Sequence, residues 1–495
     1  NVQQERTDVT YASTNEDGGI VVPGFYDLSN SNGKPLALNA NSLVRRWGVY
    51  LDATFGWKNM VFVGFSGRND WSTTVKNSYF YPSVNGSFVL SELFPASMRN
   101  SAWNYAKIRM SYGRVGNDAI PYQWLQTYGA TITNGDFGST IFPLGGIPGF
   151  TYNNRVQNPD LKPEFTGEFE VGTEQSFLQD RIRLDFSYYR KRSENQIVPV
   201  SLPSSSGFTS AIINTGLVTN NGIELSARIT PIRTSKFRWE VFGTFTKNVS
   251  EVKEISEGTN QISVGNAING MTVVAAVGRP YGTFYTDGYQ KTEDGRYIVD
   301  SATGRPLKTT SSQFFGSYLP KWQASWGTSL SYKGFSLYVL FDMKKGGQFF
   351  SRTKDIMAFV GTSLETEDRD EQVWANSVYK GADGTIHTNT TPYDPYAWFT
   401  SQAERPGEFQ LVDASYVKLR EARLSYNVPA RWLNGTPFGN LTVSVFGNNL
   451  FLWTPSANQF SDPELNSNGA SNVQGFEFGA SPSVRAYGVN LKLTF

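Results

Sequence analysis

Apolar and polar residues alternate along much of the chain with a period of two. Over residues 181–188, Ile182, Leu184, Phe186 and Tyr188 fall on one side and Arg181, Arg183, Asp185 and Ser187 on the other. This is the pattern of a strand whose successive side chains point to opposite faces. In residues 222–230, Ile223, Leu225, Ala227 and Ile229 oppose Glu224, Ser226, Arg228 and Thr230, and in 441–445 Leu441, Val443 and Val445 oppose Thr442 and Ser444. Trp322, Ala324, Trp326 and Leu330 oppose Gln323, Ser325 and Ser329; Val49, Leu51, Ala53 and Phe55 oppose Tyr50, Asp52 and Thr54, with Trp47 and Trp57 at the ends. Further strands are expected over 60–66, 107–112, 164–177, 238–246 and 334–341. The total is roughly a dozen or more strands of the ~9–11 residues that suit a tilted bilayer crossing. The longest apolar run, near 271–278, is far short of the ~18 residues of a membrane-spanning helix.

Short connections at 173–181 and 332–335 contrast with long, polar ones at 114–163, 249–320 and 343–411. Outer-membrane barrels have this asymmetry, with short periplasmic turns and long outer loops. In the last long connection, Thr362 or Ser363 can cap a helix over 363–379 whose first turn holds Glu365, Glu367 and Asp368. Lys418 and Arg420 set a phase that Leu424 and Tyr426 break, which predicts a β-bulge near Glu421. At the C-terminus Tyr487, Val489, Leu491, Leu493 and Phe495 oppose Gly488, Asn490, Lys492 and Thr494, as in a final strand with one stripe on lipid and one in the lumen. Its aromatic end resembles the signal that outer-membrane proteins present to their assembly machinery. The expected fold is all-β, a transmembrane antiparallel β-barrel with long extracellular loops, because only helices and closed barrels satisfy every backbone polar group in lipid.

Composition narrows the chemistry. The 495 residues carry 18% charged and 15% aromatic side chains with a mean hydropathy of -0.36, fewer charges than the roughly 25% of ordinary globular proteins. With 44 Lys+Arg against 43 Asp+Glu and no basic run longer than Arg190-Lys191-Arg192, there is no electrostatic footprint for nucleic acid. No cysteine and the single His387 leave no thiolate or histidine metal cluster and no cysteine nucleophile. No catalytic, cofactor or metal site is expected. The acidic stretch 365–371 lacks the spacing of a calcium loop and reads as a solvated helix start. Asp287 and Glu293 invite a glycosidase reading, which needs a set carboxylate separation that sequence does not give. The chain starts at Asn1, without an initiator Met or a signal region, and reads as a processed chain or a fragment.

Val115-Gly116-Asn117-Asp118-Ala119-Ile120 is followed by Asn158-Pro159-Asp160-Leu161-Lys162-Pro163-Glu164, then by 203–208, Asn214-Thr215-Gly216 and Asn221-Gly222-Ile223-Glu224-Leu225. Tyr416-Val417-Lys418-Leu419-Arg420-Glu421, Phe446-Gly447-Asn448-Asn449-Leu450, Asp462-Pro463-Glu464 and the last strand complete the series. In that order they resemble the C-terminal half of SusC/RagA-type TonB-dependent transporters. The resemblance implies part of a 22-stranded plugged barrel in the outer membrane of a Gram-negative bacterium, importing a bulky nutrient, oligosaccharide or oligopeptide. It also implies a SusD-like surface lipoprotein over the mouth, coupling to TonB through an N-terminal part, and a possible dimer of transporter-lipoprotein pairs. The plug, the TonB box and the early strands find no counterpart in these residues. Two rivals remain: a passive porin-like channel of about 14 strands complete in this chain, and a soluble secreted β-sandwich that binds glycans.

The motifs also have local readings. The prolines of 158–164 shape the lead into the 164–177 strand, Asn221-Gly222 reads as a turn pair, and Gly447-Asn448-Asn449 reads as a strand end. Lumen-facing Arg183, Asp185, Glu224 and Arg228 line a solute path or pair with one another. The loop aromatics Tyr281, Phe284, Tyr285, Tyr289, Tyr393, Tyr396, Trp398 and Phe399 are candidates for cargo contact, for loop-to-loop packing or for the lipoprotein lid.

Overall fold

The computed structural model describes residues 1–14, 19–33, 35–99, 102–129, 133–135, 138–140, 145–152, 154–256, 258–265, 270–469 and 471–494. Phe495, the last residue of the expected terminal stripe, lies outside them. The alternating segments become the wall of one antiparallel sheet. Its strands are β1 (Val2–Ser13), β2 (Leu36–Trp57), β3 (Val61–Ser72), β4 (Tyr79–Val89), β5 (Trp103–Asn117), β6 (Glu164–Phe177) and β7 (Ile182–Ser201). They continue as β8 (Ser210–Arg233), β9 (Phe237–Glu254), β10 (Trp322–Tyr332), β11 (Phe335–Lys345), β12 (Tyr416–Asn427), β13 (Asn440–Trp453) and β14 (Ala486–Thr494). Each pairs with the next along a single path, and a short strand at Arg155–Val156 joins β8 in parallel to make a 15-stranded sheet. The path has β1 at one edge and β14 at the other.

Turns at 58–60, 178–181 and 333–334 lie on one rim, and the connections 118–163, 255–321, 346–415 and 454–485 on the other. The tight rim is built on positive φ at Lys58, Asn59, Leu178, Gln179, Asp180, Lys333 and Gly334, conformations in which a short hairpin loop matches the strand twist. Aromatic pairs mark both rims: Trp47 stacks on Trp71 at 3.8 Å on the loop side, and Phe335 meets Tyr426 at 4.5 Å on the turn side. Between them one face is apolar and open, as in Ile108, Met110 and Tyr112 of β5 and Tyr487, Val489, Leu491 and Leu493 of β14. A soluble protein would cover such a band, whereas a membrane barrel turns it to lipid.

The inner face is polar and many of its charges are paired. Arg109 donates to Asp185 at 2.8 Å and to Ser187 at 2.6 Å, reaching both across β6 over Gly172. A Cβ at Gly172 would sit 2.8 Å from Arg109 Nε, so glycine is required for that crossing. Arg228 pairs with Glu240 and Arg183 with Asp180 at 3.6 Å. Arg183, Asp185 and Arg228 are thus paired with other residues and not with one another.

Several local readings are corrected. The 363–379 segment forms only a single 3-10 turn, Leu364–Thr366, capped by Ser363 accepting from the Glu365 amide, and then short strands at Gln372–Val373 and Ser377–Lys380. The helix lies upstream, at α1 (Arg352–Phe359), with Ser351 as its cap. Asn221 and Gly222 are not a turn but the middle of β8, opposite Arg190 and Tyr189; Gly222 is there because a Cβ would overlap the Tyr189 ring. Gly447-Asn448-Asn449 lies inside β13, where Asn448 makes the last pair with β14 and Asn449 takes φ 52°. The expected bulge is present: the register on both sides of β12 slips at Arg420, between Leu419 and Glu421.

A charge on the lipid face tests the orientation. Leu491→Arg, at a position 64% exposed on the apolar face, is expected to destabilise the barrel in vesicles by about 2–4 kcal/mol if the residue sits near the bilayer midplane. Asn490→Arg, on the opposite face, is expected to cost much less. Denaturant unfolding in lipid, read by tryptophan fluorescence, measures both.

Candidate functional site

The mouth of the barrel is organised by a group of charges where β12 enters the wall. Lys418 has a side chain only 1% exposed and donates to Asp462 Oδ2 at 2.9 Å, to Glu464 and to Ser483. Arg420, freed by the bulge, holds Glu464 with both terminal nitrogens, at 2.7 and 3.0 Å, and also Asp342 of β11. The Tyr416 hydroxyl lies between Glu464, at 2.9 Å, and Asp342, at 3.1 Å, with one proton to share between the two carboxylates. Two motifs 44 residues apart therefore meet as one clamp tying the 454–485 loop to the wall. Burial pushes the Glu464 carboxyl up, but hydrogen bonds from Arg420 and Lys418 outweigh it and hold the group down at about 2.

The other long loops fasten to the same element. Glu477, fully buried, accepts from Ser351 Oγ at 2.9 Å, Thr353 Oγ1 at 2.8 Å and the Thr353 amide at 3.2 Å. The carboxylate thus sits at the N-terminus of α1, where the helix leaves amides free and negative charge is favoured. Below it Met271, Val273, Phe284, Phe350 and Phe476 form a closed apolar core drawn from three loops. Motif 158–164 closes on motif 214–216: the Lys162 amide donates to Asn214 Oδ1 and Asn214 Nδ2 returns to Lys162 O, both at 2.7 Å.

The predicted aromatics do not form one surface. Phe284 and Trp398 have no exposed surface; both hold loops together and present no face to cargo in this conformation. Tyr393, Phe399 and Trp398 pack with Ala358 and Phe409 in a second core around α2 (Pro395–Thr400), which Tyr289 and Trp374 extend at 6.2 Å. Burial raises the Tyr289 hydroxyl far above its ordinary value. Tyr285 leans on Phe314 at 5.0 Å. Tyr281 lines a cavity of about 220 Å³ between β7, β8, β9 and the 255–321 connection, together with Glu164, Gln196 and Glu254. Tyr396 alone of the set is widely open, at 77% exposure. Asp287 is engaged by the Gly407 amide at 2.8 Å and by Lys308 at 3.5 Å. Sequence reasoning missed the clamp, whose one legible sign was a Lys-x-Arg in one motif and an Asp-x-Glu in the other.

Two outcomes follow for the clamp. Lys418→Met leaves Asp462 and Glu464 without their buried cation, a loss of about 3–5 kcal/mol by analogy with other broken buried pairs; limited proteolysis is expected to cut the 454–485 loop in the variant and spare it in the parent. Because the folded Glu464 carboxyl lies below its ordinary 4.5, its contribution is fully present above that pH and is lost as pH falls from there toward about 2. Protease sensitivity of this loop measured along that range is expected to rise, and Glu464→Gln is expected to flatten the profile.

Comparison with known proteins agrees with this architecture. A family model described as TonB dependent receptor-like, beta-barrel, matches residues 3–450. A TonB-dependent receptor of Formosa agariphila is 27% identical over 516 residues, covering 95% of this chain and 48% of its own. The TonB-dependent receptor SusC of Bacteroides thetaiotaomicron is 25% identical over 272 residues, covering 52% of this chain and 23% of its own. The structure of the RagAB peptide transporter superposes with a TM-score of 0.74 at 19% identity, covering all of this chain and 55% of that one. The chain spans about half the length of the first curated relatives it matches. It belongs to the TonB-dependent receptor-like β-barrel family of the outer membrane.

Proposed function

We propose that this chain is the larger part of the wall, and the covered mouth, of a transporter that imports a bulky nutrient, oligosaccharide or oligopeptide, by TonB-dependent transport. The observation that carries the reading is the open sheet: β1 and β14 are the two edges of the strand path, and an unpaired strand edge does not persist in hydrocarbon. Further strands must close the wall, and in the family they come with a plug and a TonB-contacting segment. A passive channel complete in these strands would need β1 to pair with β14. A secreted β-sandwich would need a second sheet over the apolar face, and the exposed residues of β5 and β14 have none among the described residues.

In this reading the clamped loops form the outer face that a SusD-like lipoprotein covers, and Tyr396 is the cargo-contacting member of the predicted aromatics. The outer-membrane assembly machinery takes the terminal strand. The test is uptake of the cognate nutrient by cells carrying the full-length transporter. Uptake is expected to stop when TonB is inactivated or the inner-membrane proton gradient is collapsed. Uptake that persists under both overturns active import in favour of a passive pore. Tyr396→Ala is expected to weaken cargo binding several-fold with an unchanged Tm in detergent.

A further inference from the structure

The glycines of the wall strands are covered by their neighbours, with one exception. A Cβ on Gly67 would meet the Phe80 ring at 3.0 Å, one on Gly447 would meet Leu450 at 2.5 Å, and one on Gly222 would overlap Tyr189; every other glycine in β1 to β14 except Gly86 has an atom within 3.5 Å of that position. Gly86, in β4, would meet only the Phe62 carbonyl oxygen, at 3.8 Å. It sits in regular pairing between Val63 of β3 and Met110 of β5, without a positive φ. Neither backbone conformation nor packing within the chain requires glycine there, and a glycine inside a strand often marks a place where something else approaches closely. The result is a groove of about 420 Å³ in the apolar face, with Val63 and Met110 as its sides, Val84 and Tyr112 at one end and Val61 and Phe88 at the other.

We infer that the Gly86 groove binds one acyl chain of a membrane phospholipid. The groove lies in the band between the aromatic rims, where hydrocarbon is what meets the wall. In hydrocarbon there is no hydrophobic gain from burial, so affinity comes from contact, and a slot one side chain wide grips a single chain where a smooth wall does not. Val61 follows the 58–60 turn directly, so the slot starts near the tight rim, which in such barrels faces the periplasm. That leaflet of the outer membrane is built of phospholipid. At the same rim Lys58 lies over the Trp57 ring at 4.7 Å, a cation at the level of the lipid phosphates. The inference concerns the outside of the wall, so it stands or falls apart from TonB-dependent import.

The test is native mass spectrometry of the full-length transporter, stripped of lipid in detergent and then titrated with palmitoyl-oleoyl phosphatidylethanolamine or with lipid A. The parent is expected to retain one phosphatidylethanolamine in preference to lipid A. Gly86→Leu fills the slot with a side chain that clashes with nothing, so its Tm is expected to hold while the affinity for that one lipid falls at least about fivefold. Should the variant fail to fold, Val84→Trp, at the exposed end of the slot, is expected to have the same effect. Leu491→Phe, on the apolar face of β14, is expected to leave the retained lipid in place. Preference for lipid A, no retained lipid in the parent, retention unchanged in the folded variant, or recovery of the parent as a pair of copies that Gly86→Leu separates overturns the assignment.

Discussion

In hydrocarbon an amide without a partner finds no water to replace it, and the pairing of neighbouring strands is what this chain uses to meet that demand. Every wall strand from β2 to β13 is bonded on both sides, in registers that run for ten residues or more along most of the sheet. The rest follows from that ladder. A pleated strand sends alternate side chains to lipid and to lumen, so one stripe must be apolar and the other is free to be charged. The lumen stripe then has to match its own charges, as Arg109 does by crossing Gly172 to Asp185.

Above the membrane the constraint changes from pairing to burial. The loops are long enough to build cores of their own, and they do so with Phe284, Phe350 and Phe476 in one and Trp398, Phe399 and Phe409 in the other. Such cores would float over the barrel were they not tied to it. The tie is electrostatic: Lys418, still in the ladder, and Arg420, released at the bulge, take the two carboxylates of Asp462-Pro463-Glu464. Buried charges hold a loop in one geometry because a half-made pair costs more than either state without it. Glu477 carries the same logic one step outward, to the start of α1.

The wall was legible because its code is periodic. The 164–177 strand is found with the limits its alternation gave, and the phase break after Arg420 located the bulge. Where the pattern is diluted, strand was missed: β4, with Pro82, Asn85 and Gly86, escaped whole, and of the 24 residues of β8 the alternation marked 222–230 but not the part before it. Asn221-Gly222 misled because glycine serves close packing on Tyr189 there, and composition alone does not separate that use from a turn. The site was far less legible. Loop residues have no period to reveal which side is buried, so Trp398 and Tyr396, two positions apart, looked alike while one is enclosed and the other open. The clamp joins positions that only the fold makes neighbours.

The central claim is that these strands are part of a larger closed wall. Intact mass with N-terminal sequencing of the native protein, purified from outer membranes in detergent, tests it most directly. The account predicts a species near twice the 55.1 kDa of this chain, or a second fragment held tightly to it that supplies the remaining strands. A lone 55.1 kDa barrel, folded and stable without further chain, would contradict it.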